Sequence, residues 1–190
     1  LTASGSVGKV EIPKDFAFDS ADISLSTGNV DFCASAAGQV KIKTTTGDIR
    51  AENIFAGSLD LSVSTGTVTV SGVSCGGDAA VSVSTGKAYL TNVSCKNVIS
   101  NGSTGNISLD GVIADEKLSV ERSTGEVSFD GCDAAEIYVK TSTGDVTGSF
   151  LTDKVFITDT GTGSVDVPKT SDGGKCEIST ATGNIKFKIG

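Results

Sequence analysis

Three sets of residues in this 190-residue chain have the types and spacing to do chemistry. The first is a series of hydroxyls, Thr27, Thr46, Thr65, Thr85, Thr104, Thr124, Thr143, Thr162 and Thr182, each directly before a glycine. Such hydroxyls cap backbone groups at turns; ranked on a flat outer face, they would instead order water, as in solenoidal ice-binding proteins. Strand parity places them inward, and Gly161 and Ala181 break the neighbouring serine column, so the structural role is the expectation. The second set follows each glycine: Asn29, Asp48, Thr67, Lys87, Asn106, Glu126, Asp145, Ser164 and Asn184. Gly- and Asp-rich turns bind calcium in some β-rolls, but a column that admits Lys87 is not a dedicated calcium ladder. The third set is the acids Asp110, Asp130 and Asp133, the nearest approach to the paired carboxylates of a glycoside hydrolase.

Catalysis is not the expectation. The chain contains no histidine, which removes Ser-His and Cys-His pairs. Without histidine or a close pair of cysteines, the usual zinc arrangements are also missing. We expect a non-enzymatic protein with no cofactor and no metal.

The positions of these residues are set by a repeat. Aligned on the glycine of Ser64-Thr65-Gly66-Thr67-Val68, the register runs Gly28, Gly47, Gly66, Gly86, Gly105, Gly125, Gly144, Gly163 and Gly183, at intervals of 19 or 20. A weaker copy at Gly8-Lys9-Val10-Glu11-Ile12 makes ten. Residues two and four after the glycine are apolar with a polar residue between them, as in Val30 and Phe32 or Ile185 and Phe187. Residues seven and five before it repeat the alternation, as in Leu59 and Leu61. Both segments read as strands. A third apolar column, Ile54, Val73, Val93, Val112, Cys132 and Leu151, follows a column of Asn53, Gly72, Asn92, Gly111 and Gly131, residues that tolerate positive φ and so mark a second corner.

One such coil cannot bury its apolar face alone, but stacked coils share a continuous core. The fold expected is all-β: a single-stranded parallel β-helix, or β-solenoid, of about ten coils, forming one domain over residues 1–190 with residues 1–20 as a partly irregular N-terminal coil or cap. At a strand spacing of about 4.8 Å the stack would be about 48 Å long. Parallel crossovers favour a right-handed coil. A propeller blade needs about 40 residues and four strands, and these copies do not alternate in character; a sandwich would not show such column identity. Intervals this short leave no room for the long loops over which carbohydrate-active β-helices build their sites.

The net charge of -8 and a pI near 4.5 argue against a nucleic-acid partner, which needs a basic stripe. The charges form ladders, with Asp22, Lys41 and Asp60 in one outward column and Glu121, Lys140 and Asp159 in another. Cys132 and Cys176 read as buried thiols, and Cys75 and Cys95 occupy equivalent places in successive coils. One outward column departs from polarity at Ile99, Tyr138 and Ile157, a candidate interaction surface. The stack should expose strand edges at both ends. The stretch around Pro13, Phe16 and Phe18 is expected to cap one, leaving the coil that ends at Ile189-Gly190 the less protected and open to end-to-end self-association.

The phrase Ser-Thr-Gly-(Asp/Asn/Glu)-(Val/Ile), as in Ser123-Thr124-Gly125-Glu126-Val127 and Ser142-Thr143-Gly144-Asp145-Val146, resembles the bacterial adhesin-like repeat domains, a family of unknown function whose members often follow a membrane segment. The resemblance covers essentially the whole chain. It implies an extracytoplasmic module, at the cell surface or secreted, that binds a protein or glycan partner and meets a membrane only through a segment outside this chain. The chain begins at Leu1 with no leader or membrane-spanning run, and so reads as a mature fragment or an excised ectodomain. A sensor ectodomain reporting envelope stress is the alternative, and a carbohydrate-active β-helix a more distant one.

Overall fold

The computed structural model describes all 190 residues. It contains β1 (Thr2–Ile12), β2 (Ala17–Phe18), β3 (Ala21–Phe32), β4 (Ser35–Thr46), β5 (Ile49–Glu52), β6 (Phe55–Cys75), β7 (Asp78–Thr104), β8 (Ile107–Asp110), β9 (Ile113–Thr124), β10 (Val127–Thr143), β11 (Val146–Phe150), β12 (Lys154–Thr162), β13 (Val165–Asp166), β14 (Gly174–Thr182) and β15 (Ile185–Ile189). Every pairing is parallel and joins a coil to its neighbour in the stack, so the chain is the expected β-solenoid.

Alternation explains the three inward faces. In one coil Leu59, Leu61 and Val63 point in from the first, Val68 and Val70 from the second, and Val73 and Cys75 from the third, all buried. The corner between the first two faces is glycine because the coils stack there backbone on backbone: a β-carbon on Gly66 would stand 1.9 Å from the carbonyl oxygen of Gly47. The second corner is left-handed, with Asn53 at φ 54° and Gly72 at φ 63° in register. The third corner absorbs the difference between 19 and 20. Ser94 faces Ile113 but Asn97 faces Lys117, so the extra residue bulges there and leaves the apolar columns aligned.

The residues after the glycines complete the first corner. Where the residue is Asn or Asp, its side-chain oxygen accepts the backbone N–H of the neighbouring coil: Asn29 Oδ1 from Asp48 at 3.0 Å, Asp48 Oδ1 from Thr67 at 2.8 Å, Asn106 Oδ1 from Glu126 at 3.1 Å. The preference for Asp and Asn is thus a capping requirement where the ladder turns.

The last two coils are stacked out of sequence order. Thr143 pairs with Thr182, and Thr182 with Thr162, so the coil of Gly183 lies between those of Gly144 and Gly163. The ladder agrees: Gly144 N donates to Thr182 O at 2.9 Å and Gly183 N to Thr162 O at 2.9 Å. Packing supplies the reason. The eighth coil has Gly148 in an inward column where its neighbours carry phenylalanine, and Phe129 on one side and Phe187 on the other close that gap with their rings 5.7 Å apart. Phe187 also stacks on Phe150 at 4.6 Å. Sequential stacking would place Val167 over Gly148 and leave a void. It would also bury the inward Thr158 mid-stack, where Ile178 now lies.

This arrangement corrects four expectations. The C-terminal strand β15 is internal, paired with β11 and β13, and the free edges belong to β1 at one end and β12 with β13 at the other. Ser179 separates Lys140 from Asp159, which breaks that charge ladder. Phe150, not Leu151, fills the inward place beside Cys132, and Leu151 is 51% exposed. The threonines before the glycines point outward, because the chain is already turning there and parity fails for one residue; Val7, their counterpart in the first coil, is 82% exposed. The inward hydroxyls lie two residues earlier, where Thr180 Oγ1 donates to Gly144 O at 3.2 Å and Thr160 Oγ1 to Gly183 O at 2.9 Å.

The insertion sets the order of opening. In native-state hydrogen exchange, the amides of Ile185–Ile189 should be protected close to the global unfolding free energy although they end the chain, and those of Val165 and Asp166 should exchange first. Faster exchange at Ile185 than at Val165 would contradict the insertion.

Candidate functional site

The outward column runs Asp22, Lys41, Asp60, Ala80, then Ile99, Ser119, Tyr138, Glu177 and Ile157. Ser119 therefore separates Ile99 from Tyr138, and the inserted Glu177 separates Tyr138 from Ile157. The three candidates share a column but form no continuous apolar stripe. Ile99 and Tyr138 are half-buried, and Ile157 lies on the outermost coil, 50% exposed.

Tyr138 has the most developed surroundings. Lys117 Nζ lies 5.6 Å from its ring centroid, in cation–π range. Glu136 stands between Lys117 and Lys175 in the next outward column, and Lys175 Nζ pairs with Glu177 Oε2 at 2.8 Å. That hydrogen bond raises the Lys175 pKa above the ordinary lysine value. Together these groups frame a depression of about 100 Å³, a flat amphipathic anchor ringed by charge.

A larger hollow opens on the third face near the N-terminal end. It measures about 690 Å³ and is walled by Leu1, Phe18, Asp19, Ser35 and Phe55 among others. Phe55 is 54% exposed, with its backbone N–H bonded to Ser35 Oγ at 3.1 Å, and Phe16, equally exposed, stacks on Phe18 at 6.1 Å. Sequence reasoning missed this hollow. The available signal was a phenylalanine at the outward position where Ser74 and Ser94 stand in later coils.

Two of the three acids considered for catalysis, Asp130 and Asp133, are engaged structurally. Asp130 Oδ1 accepts from Ser149 Oγ at 3.3 Å, and Asp133 Oδ1 from Thr152 Oγ1 at 3.1 Å, from the Ala134 N–H at 2.8 Å and from Lys154 Nζ at 2.5 Å. Of the outward hydroxyls, the serine and threonine columns line a corner between two sheet faces, not the middle of one.

All five cysteines are free thiols; Cys75, Cys95, Cys132 and Cys176 are buried and Cys33 is half-buried. Burial pushes Cys132 up to about 11 and Cys176 up to about 12. Native protein should therefore label with maleimide at Cys33 alone, the other four reacting only in denaturant. The sign for stability follows. Cys132 and Cys176 stay protonated in the fold while the unfolded chain ionises near about pH 8.5, so their contribution is complete below that pH and is lost as pH rises toward the folded values. The urea midpoint should fall above about pH 8.5, and less so in a Cys132→Ala/Cys176→Ala variant.

The comparisons with known proteins fit this architecture. No curated protein and no solved structure matches the chain. The family model described as Toastrack DUF4097 matches twice, over residues 8–98 and 74–190, with the overlap that a periodic chain allows. The two matches take in all but the first seven residues, and the chain belongs to the Toastrack DUF4097 family.

Proposed function

We propose that this chain is a non-enzymatic, extracytoplasmic interaction module, adhesin-like in use, which holds a protein or glycan partner on the outside of its coils. The observation that carries the reading is the Phe18–Phe55 hollow. Rings exposed on a rigid scaffold, beside the carboxylate of Asp19, suit a partner with an apolar face and hydrogen-bonding groups, such as a sugar ring or an extended peptide. The engagement of Asp130 and Asp133 in structural bonds supports the non-enzymatic part. Tyr138, framed by Lys117 and Lys175, is a second anchor of the kind that concentrates binding energy.

The test is a binding screen of the purified chain against a glycan array and extracellular-matrix proteins. A saturable hit should weaken at least about tenfold in Phe55→Ser, a loss of about 1.4 kcal/mol. Tyr138→Ala measures whether the second anchor belongs to the same footprint. A hit indifferent to both substitutions would refute these faces, and silence across the screen would refute the adhesive reading in favour of a sensor ectodomain.

A further inference from the structure

A charge is buried inside the coils with no carboxylate beside it. Arg122 takes an inward position in the column that includes Val83, Gly102 and Thr141, and is 4% exposed. Its guanidinium lies over Gly102, where a β-carbon would stand 1.7 Å from Nη1, and Nη1 donates to Val83 O at 2.6 Å. Nε and Nη2 are buried without a protein partner. So is Ser100 Oγ, on the same inward side of the same strand, two residues before Gly102. Desolvation lowers the Arg122 pKa to about 10, which leaves the group charged at neutral pH.

An uncompensated buried guanidinium is strongly destabilising, and the chain's other buried cation, Lys154, has Asp133. The unpartnered groups around Arg122 are Nε with one hydrogen, Nη2 with two, and the Ser100 hydroxyl, which both donates and accepts. A water molecule can accept from the nitrogens and donate back to Ser100 Oγ, but it leaves the charge unbalanced; an anion accepts from the same nitrogens and neutralises it. A polar cleft of about 250 Å³ reaches this point from outside, with Gly102, Arg122, Ser142, Lys140 and Glu121 in its walls. We propose that Arg122 and Ser100 form an internal site for a small monovalent anion of chloride size, reached from the cleft that Arg122 lines.

The experiment is thermal unfolding in sodium chloride, with ionic strength held constant by sodium gluconate, whose anion is too large to enter. The natural chain should gain about 3–5 °C per tenfold rise in chloride above the dissociation constant. Arg122→Met should show no difference between the two salts. Equal melting curves in chloride and gluconate for the natural chain would overturn the site. A second readout does not depend on the variant folding: bromide-soaked crystals of the natural chain should give an anomalous peak within hydrogen-bond distance of Arg122 Nε and Nη2. A water there, with no anomalous signal, would overturn the proposal.

Discussion

Replacing Gly66 with alanine should abolish cooperative folding of the solenoid, whereas the same change at Gly131 should leave it folded. Both glycines have positive φ, but 55° at Gly131 is the left-handed region that Asn53 and Asn92 also adopt, whereas 147° at Gly66 lies in a region essentially confined to glycine. The surroundings separate them further. At Gly66 the added methyl would meet the carbonyl of Gly47 at 1.9 Å, and that carbonyl belongs to backbone stacked on both sides. Relief would require spreading two coils and breaking the ladder on the adjoining faces. At Gly131 the nearest atom is Leu151 Cδ2 at 3.8 Å, so alanine costs only its left-handed conformation, about 1–2 kcal/mol. The Gly66 variant should lose more than about 4 kcal/mol, the extreme of single-residue effects. Urea midpoints by circular dichroism measure both. Equal losses would mean that the close contact between coils at Gly66 adds nothing to its cost.

That distinction shows what could be read before the structure. A column is legible when each of its members obeys the same local constraint. Asn53, Gly72 and Asn92 share a left-handed corner, and Val68, Ala88 and Ile107 share an inward pleat. The order of the coils is a different kind of information. Parallel coils with matching columns are interchangeable at the level of pattern, so nothing in the period distinguishes Gly163 from Gly183 as the neighbour of Gly144. The choice rests on one missing side chain, Gly148, and on which of Phe187 and Val167 fills the space. The outward threonines were misplaced for a related reason. Parity holds along a strand and fails at a corner, and those residues stand one position before the turn. The candidate surface was legible only in part, since the column containing Tyr138 follows from register, but its neighbours Lys175 and Glu177 come from the inserted coil. Nothing in the pattern marks Arg122 as buried, because the room for it is made by Gly102, one coil away.

Asp133→Ala should destabilise the chain by about 3–5 kcal/mol, with Lys154→Met close to neutral and the double variant well above the single Asp133→Ala in stability. Lys154 opens β12 on the outermost coil, and its side chain is only 2% exposed. Its ammonium is held by Asp133 Oδ1 at 2.5 Å and Thr152 Oγ1 at 2.6 Å, so two of its three hydrogens have partners. Removing the carboxylate leaves a buried cation with a hydroxyl as its remaining partner, the strongly unfavourable case for a broken internal pair. Methionine keeps much of the aliphatic stem and removes the charge to be solvated, which is why the reciprocal change is tolerated. The asymmetry is what a double-mutant cycle would measure, as a coupling between residues that are 21 apart in sequence but in contact across the stack. Because β12 pairs only with β14, the loss should register first as faster hydrogen exchange in Lys154–Thr162 and then as a lower global midpoint. Equal costs for the two single variants would show that Lys154 contributes through packing and not through its charge.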